Sequence, residues 1–215
     1  MSIKKYINYR FKELTIEELI KFHNPKLIKG YCKQCKKYGT VWSCPEFNFN
    51  ELELLKSYNY VYLIHSKIYI RNLCKSTIDE YYNNLLNIIP EVKDYKDDMG
   101  KNFNTLYFSG RLYLDNMLLR IEESYKHSLA IVSGRCLYCD PCEKTKGKKC
   151  INPEKLRYSL EALSIDVSSL LKYSLNEEIQ WSNDEASNYI TCVSALLSKN
   201  LIKIDELEDR IIHFW

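Results

Sequence analysis

The sequence predicts a mixed α/β (or α+β) fold with a single sheet covered by helices, and three observations lead to this prediction. Runs of β-branched and aromatic residues recur along the chain, apolar residues at helical spacing lie between them, and no repeat or low-complexity linker divides the 215 residues. Hydrophobic residues make up 46% of the chain and charged residues 27%, as in soluble globular proteins. We therefore expect one domain over residues 1–215, with cysteine-rich loops at 31–45 and 134–153.

The first half of the chain is expected to contain three helices and a strand. Thr15-Ile-Glu-Glu18 has the pattern of a capping box and predicts the start of a short helix. Residues 51–57 predict a second short helix, and the β-branched, aromatic run at 60–70 predicts a strand. Ser76 is expected to cap a third helix, which Pro90 stops.

The second half continues the alternation of helices and strands. Leu114, Leu118 and Ile121 recur at helical spacing, and Asp166 is placed as the N-cap of a later helix. The predicted elements are an amphipathic helix at 111–127, a buried strand at 129–133, helices at 156–163 and 167–173, a strand at 189–197, and a strand or helix within 202–215.

Charge and hydropathy exclude several classes of protein. A formal net charge of +3 is too small to indicate a nucleic-acid or membrane partner, and the eighteen tyrosines have no interleaved basic patch. No run of about 18 apolar residues predicts a transmembrane helix, and the N-terminus lacks the apolar core of a secretory signal. We expect a cytoplasmic protein; the oligomeric state stays open.

Seven of the nine cysteines fall into two tight groups. An odd count in a cytosolic chain of this length favours metal or redox chemistry over a disulfide framework. The predicted ligands are Cys32, Cys35 and Cys44 in the first loop, and Cys136, Cys139, Cys142 and Cys150 in the second.

The second group resembles a ferredoxin loop. Three cysteines at two-residue intervals suit a cubane, whose corners must be reached from one short segment, whereas zinc usually takes its thiolates as separate pairs. The seven residues before Cys150 leave enough chain to fold back to the fourth corner. A 4Fe-4S cluster is the leading prediction here, with zinc as the alternative.

The first group has only three cysteines, so its fourth ligand is open. A three-thiolate cubane would leave one iron free to bind substrate, and zinc with a histidine such as His23 or His65 is the main competitor. Cys150 could also complete this site instead of its own. The lone Cys74 and Cys192 are interpreted as small buried hydrophobic residues.

Two stretches, Cys32–Pro45 and Gly134–Val167, carry a specific resemblance in the order and spacing of their residues. They resemble the family of predicted metal-binding proteins known as domain of unknown function 2284, over roughly residues 30 to 170. Glu46 and Ser164 depart from the family pattern, and neither is a candidate ligand. The resemblance implies metal binding and no particular reaction.

The sequence therefore predicts an iron–sulfur redox protein with one or two 4Fe-4S clusters. The four-cysteine group would relay electrons, and the three-cysteine group would hold a second cluster that binds a small substrate. An enzyme of this kind would be a reductase or a sulfur-handling enzyme, whereas a carrier would dock on a redox partner protein. The alternative is a structural zinc protein without redox activity.

Overall fold

The computed structural model describes residues 3–69, 73–95, 97–180 and 189–213. A four-stranded, fully antiparallel sheet lies at its centre, in the spatial order β1-β2-β4-β3. The strands are β1 (Ile7–Thr15), β2 (Tyr60–Tyr69), β3 (Ser128–Ile131) and β4 (Tyr189–Ser198). The α-helices of the described residues are α1 (Ile16–Ile20), α2 (Pro25–Cys32), α3 (Glu51–Lys56), α4 (Lys75–Leu85), α5 (Asp98–Ser124), α6 (Val167–Leu175) and α7 (Ile204–His213).

Helices cover both faces of the sheet, which confirms the predicted fold class. Side chains alternate across a strand, so Leu63 of β2 packs on one face with α1, α3 and α6, and Ile64 packs on the other with α4, α5 and α7. Both residues are fully buried. This burial on two sides explains why β2 reads as a continuous apolar run instead of an alternating one.

Local signals located several elements correctly. Thr15 and Glu18 form the capping box at the start of α1, with Glu18 N donating to Thr15 Oγ1 at 3.2 Å. Asp166 caps α6 by accepting a hydrogen bond from Ser169 N at 3.1 Å. Ser164 adopts a left-handed φ of 65°, which is the strained turn expected where the family pattern often has glycine.

Several expectations were wrong, and two elements were missed. Ser76 does not cap α4, because the helix starts two residues earlier than a Ser76 cap would give, with Cys74 in the cap position. Residues 156–163 are irregular up to 159 and form turns from 160, so they are not a helix. Neither β1 nor α2 was predicted, although Ile7-Asn-Tyr-Arg-Phe-Lys alternates as an edge strand does.

The long helix α5 begins at Asp98, well before the predicted start at residue 111. Asp97 caps it by accepting a hydrogen bond from Gly100 N at 2.7 Å. Despite its 27 residues, α5 carries too many polar groups for a membrane span. Within the described ranges, no helix combines the length and apolarity needed to cross a bilayer.

Candidate metal centre

The four cysteines of the second group surround one small cavity. This cavity is lined by Cys136, Cys139, Cys142, Cys150, Val41, Trp42, Asn152 and Leu156. Asn152 Nδ2 donates a hydrogen bond to Cys139 Sγ at 3.2 Å. The fold therefore brings together all four cysteines that the spacing selected as ligands, including Cys150 after its insertion.

Glycine allows the chain to turn out of the sheet just before this group. Gly134 has φ +69°, and a Cβ at this position would lie 3.1 Å from Tyr107 Oη and 3.3 Å from Arg111 Nη1. The left-handed backbone therefore favours glycine, and a Cβ would also crowd the ends of these two side chains. Gly147 has φ +67° and makes the second sharp turn, between Cys142 and Cys150.

The three cysteines of the first group also lie near one another. Cys32 ends α2, and the backbone then turns so that Cys35 N donates to Cys32 O at 3.0 Å. Burial raises the pKa of Cys32 and of Cys44, and the neighbouring thiols raise both further. The thiols are thus close enough to repel one another when they ionise.

The two groups are joined by a shared segment, Val41–Cys44. Trp42 lines the cavity of the second group, and its Nε1 donates to the carbonyl of Lys148 at 3.1 Å. Ser43 Oγ accepts a hydrogen bond from Cys136 N at 2.8 Å. Trp42 and Cys44 are two residues apart, so their Cα atoms lie within about 8 Å of each other.

Trp42 thus covers the second group of cysteines, although it lies close to Cys44 of the first group in the sequence. Lys144 supports the same junction. Its Nζ lies 5.2 Å from the centre of the Trp42 ring and donates to the carbonyls of Val41 and Cys44 at 3.3 and 3.4 Å. The two cysteine groups are therefore adjacent parts of one region.

A sequence model of predicted metal-binding proteins, domain of unknown function 2284, matches residues 18–198 of the 215 and so includes both cysteine groups. The chain belongs to this family. Neither curated proteins nor solved structures give a match.

In this member of the domain 2284 family, an ion-pair network also links the two loops. Glu91 pairs with Lys37 of the first loop at 2.6 Å and with Arg135 of the second at 2.7 Å. Burial alone would raise the pKa of Glu91, but the hydrogen bonds from Lys37 and Arg135 lower it overall. Arg135 therefore forms a largely buried ion pair, with its side chain 10% exposed.

A second support, the buried Arg111 of α5, was not predicted. Its Nη2 donates to the carbonyl of Arg135 at 2.6 Å and pairs with Asp115 at 3.1 Å. The Arg111 side chain is 1% exposed, so an unpaired charge there would be costly. The only sequence signal was an Arg and an Asp four residues apart on the apolar face of a helix.

A third support fixes the chain that follows Cys150. Arg157 forms a two-bond pair with Glu122 of α5, with Nε and Nη2 at 2.7 and 2.6 Å from the carboxylate oxygens. Glu122 also accepts a hydrogen bond from Ala130 N at 2.6 Å. These bonds anchor the second loop to both α5 and β3.

The remaining candidates lie outside the two groups. Cys192 is fully buried in β4, and burial raises its pKa to about 12, so its interpretation as a core residue is confirmed. Cys74 was expected to be buried but is exposed, and hydrogen bonds with Ser76 and Thr77 lower its pKa to about 7. His65 is fully buried within the sheet.

Within the described part of the chain, no three His, Cys, Asp or Glu side chains gather closely enough for a single metal ion. The four thiols of the second group line one shared cavity. The first group likewise has no histidine or carboxylate that completes a single-ion site among the described residues.

Proposed function

We propose that this chain is an iron–sulfur protein in which Cys136, Cys139, Cys142 and Cys150 hold a 4Fe-4S cluster. The observation that carries the proposal is the convergence of these four thiols on one small cavity. Trp42 and Leu156 supply apolar walls to this cavity. Such a cluster supplies one-electron transfer, and the chain would tune its potential through burial and hydrogen bonds such as that from Asn152 to Cys139.

The spacing of the cysteines favours a cluster over zinc, because three of them follow one another at two-residue intervals in one short loop. A tetrahedral zinc ion needs four ligand atoms about 2.0 to 2.3 Å from a single point. Within the described residues no three candidate ligands are gathered in this way. A cubane holds its thiolates further apart because inorganic iron and sulfide occupy the centre.

We propose that Cys32, Cys35 and Cys44 hold a second cluster, which has three protein thiolates. In the shared segment Val41–Cys44, the Cα of Cys44 lies within about 8 Å of the Cα of Trp42, which lines the cavity of the four-cysteine group, and this supports electron transfer between the two sites. A small substrate would be handled at the three-cysteine group, with electrons supplied by a redox partner through the four-cysteine group. The reaction class would be reduction or sulfur handling.

The proposal is tested by anaerobic purification followed by counting iron, zinc and acid-labile sulfide per chain. We expect about eight irons and about eight sulfides, as two cubanes require. The variant Cys136→Ser should lose at least about half of both, whereas Cys74→Ser, which changes an exposed cysteine outside both groups, should retain them. Pale protein without sulfide that retains zinc through dialysis would overturn the proposal and leave a structural zinc protein.

A further inference from the structure

A large cavity opens beside the first cysteine group. Its volume is about 510 Å³, enough for a small metabolite. It is lined by Ile28, Tyr31, Cys32, Glu161, Asp166, Val167, Ser168 and Ile179. One wall thus carries a predicted metal ligand, and the opposite elements carry two carboxylates.

The carboxylates of this cavity are held by packed structure. Glu161 lies in a turn whose leucines, Leu160 and Leu163, are fully buried. Its carbonyl accepts a hydrogen bond from Ser164 N at 2.9 Å. Asp166 is fixed as the N-cap of α6, with its Oδ2 accepting from Ser169 Oγ at 2.7 Å. The carboxylate of Asp166 and the backbone of Glu161 are therefore placed before a ligand arrives.

Glu161 lacks a basic neighbour in this cavity. Among the described residues that line it, none is Lys, Arg or His. Burial raises the pKa of Glu161, and the hydrogen bonds from its own backbone N–H and from Ser159, together with the charge of Arg111, lower it only in part. A carboxylate in this position is stabilised by a positive charge brought from outside.

Glu161 and Ile179 also line a second cavity, of about 240 Å³. Its walls include the polar groups of Asn104, Ser133 and Thr191. Glu161 therefore stands between the two cavities and faces a ligand in either.

We infer that the cavity beside Cys32 binds a small molecule that carries a cationic amine at one end and a thiol or similar soft donor at the other. The amine would pair with Glu161, with Asp166 adding negative potential, and the soft donor would point to the three-cysteine group. Anionic molecules are excluded because the lining carries two carboxylates and its metal site adds thiolate charge. The inference rests on the proposed function, since the soft end needs a metal centre at Cys32.

Three thiols that share a two-carbon chain and carry end groups of different charge test the inference. Cysteamine, 2-mercaptoethanol and 3-mercaptopropionate share the soft donor, and their other ends are cationic, neutral and anionic. Each is titrated anaerobically into purified protein whose iron and sulfide have been counted, and the change in visible absorption gives Kd. We expect cysteamine to bind about tenfold tighter than mercaptoethanol and mercaptopropionate to bind weakest.

Two variants and a control locate the effect. Glu161→Gln keeps the shape but removes the charge, so cysteamine should bind no tighter than mercaptoethanol. Ser168→Trp changes an exposed residue at the cavity wall and should weaken binding of all three thiols, with no loss of iron. Glu154→Gln changes an exposed carboxylate outside the cavity and should alter nothing.

The outcomes separate this inference from the proposed function. Protein with its full iron and sulfide whose spectrum no thiol changes would refute the inference and leave the proposed function standing. Equal affinity for the cationic and anionic thiols, or cysteamine preference that survives Glu161→Gln, would refute it as well. Protein without sulfide would overturn both.

Discussion

Comparing three glycines separates the effects of backbone strain and of crowding on the turn that precedes the second cysteine group. Gly134 has a left-handed φ and close neighbours, since an added Cβ would meet Tyr107 Oη at 3.1 Å and Arg111 Nη1 at 3.3 Å. Gly147 has the same kind of φ, +67°, with nothing within 4 Å of the added Cβ. Gly30 lies inside α2 with neither constraint. Alanine at Gly30 therefore reports helix propensity alone, alanine at Gly147 reports backbone strain, and alanine at Gly134 reports backbone strain together with crowding.

The expected changes in the free energy of unfolding follow from this geometry. Gly30→Ala should stabilise the protein by about 0.5 to 1 kcal/mol, because alanine loses less backbone entropy in a helix. Gly147→Ala should cost about 1 kcal/mol from the left-handed backbone alone. Gly134→Ala should cost about 2 to 3 kcal/mol, since crowding against Arg111 adds to the same strain.

Anaerobic urea denaturation, followed by circular dichroism, measures these differences on the purified protein. Iron and sulfide counts on the same samples report whether the second loop still holds its ligands in place. We expect Gly134→Ala to lose metal and Gly147→Ala to lose less. If Gly134→Ala is no less stable than Gly147→Ala, the side chains of Tyr107 and Arg111 do not press on the turn, and the reasoning is refuted.

Three further predictions concern pH and the loop supports. Burial lowers the pKa of His65 to about 4, so as the pH falls the unfolded chain binds this proton before the folded protein does. The free energy of unfolding should therefore fall by up to about 3 kcal/mol between pH 6.5 and pH 4. The variant His65→Leu should show a weaker pH dependence over this range in urea denaturation. Glu122→Gln should cost about 2 kcal/mol in urea, because Arg157 keeps a half-buried charge without its partner; an unchanged midpoint would contradict this. Trp42→Phe removes the hydrogen bond to the carbonyl of Lys148, so it should lower the free energy of unfolding by about 1 kcal/mol. The visible absorption of this variant should also bleach faster in air than that of the wild type. Equal bleaching rates would contradict the role of Trp42 as a cover.

The sequence could predict the elements whose signals are local. The capping box at Thr15, the N-cap at Asp166 and the β-branched run of β2 each depend on residues a few positions apart, and each was confirmed. The start of α5 was missed because apolar spacing identified only its second half, while Asp97 gives no such pattern. Residues 156–163 have apolar spacing like a helix, yet their apolar side chains are buried in turns.

The candidate site also has features that local sequence predicts and features that depend on distant residues. Spacing alone grouped the cysteines, because ligands from one short loop must be close in sequence. The junction between the loops depends on pairs about a hundred residues apart, such as Ser43 with Cys136 and Trp42 with Lys148. Neither spacing nor composition reports such a contact, and the same holds for Glu161, which reaches Cys32 only through the folding of the turn before α6.

The unequal lengths of two neighbouring strands decide where the metal site can be. β3 pairs with β4 only from Ser128 to Ile131, opposite the last four residues of a ten-residue strand. Had pairing continued through residue 135, the strand would end about 13 Å beyond Ile131, at about 3.3 Å per residue. Because β3 stops at Ile131, the chain can turn at Gly134, and Cys136 N reaches Ser43 Oγ at 2.8 Å. A short strand thus leaves the second loop free to meet the first.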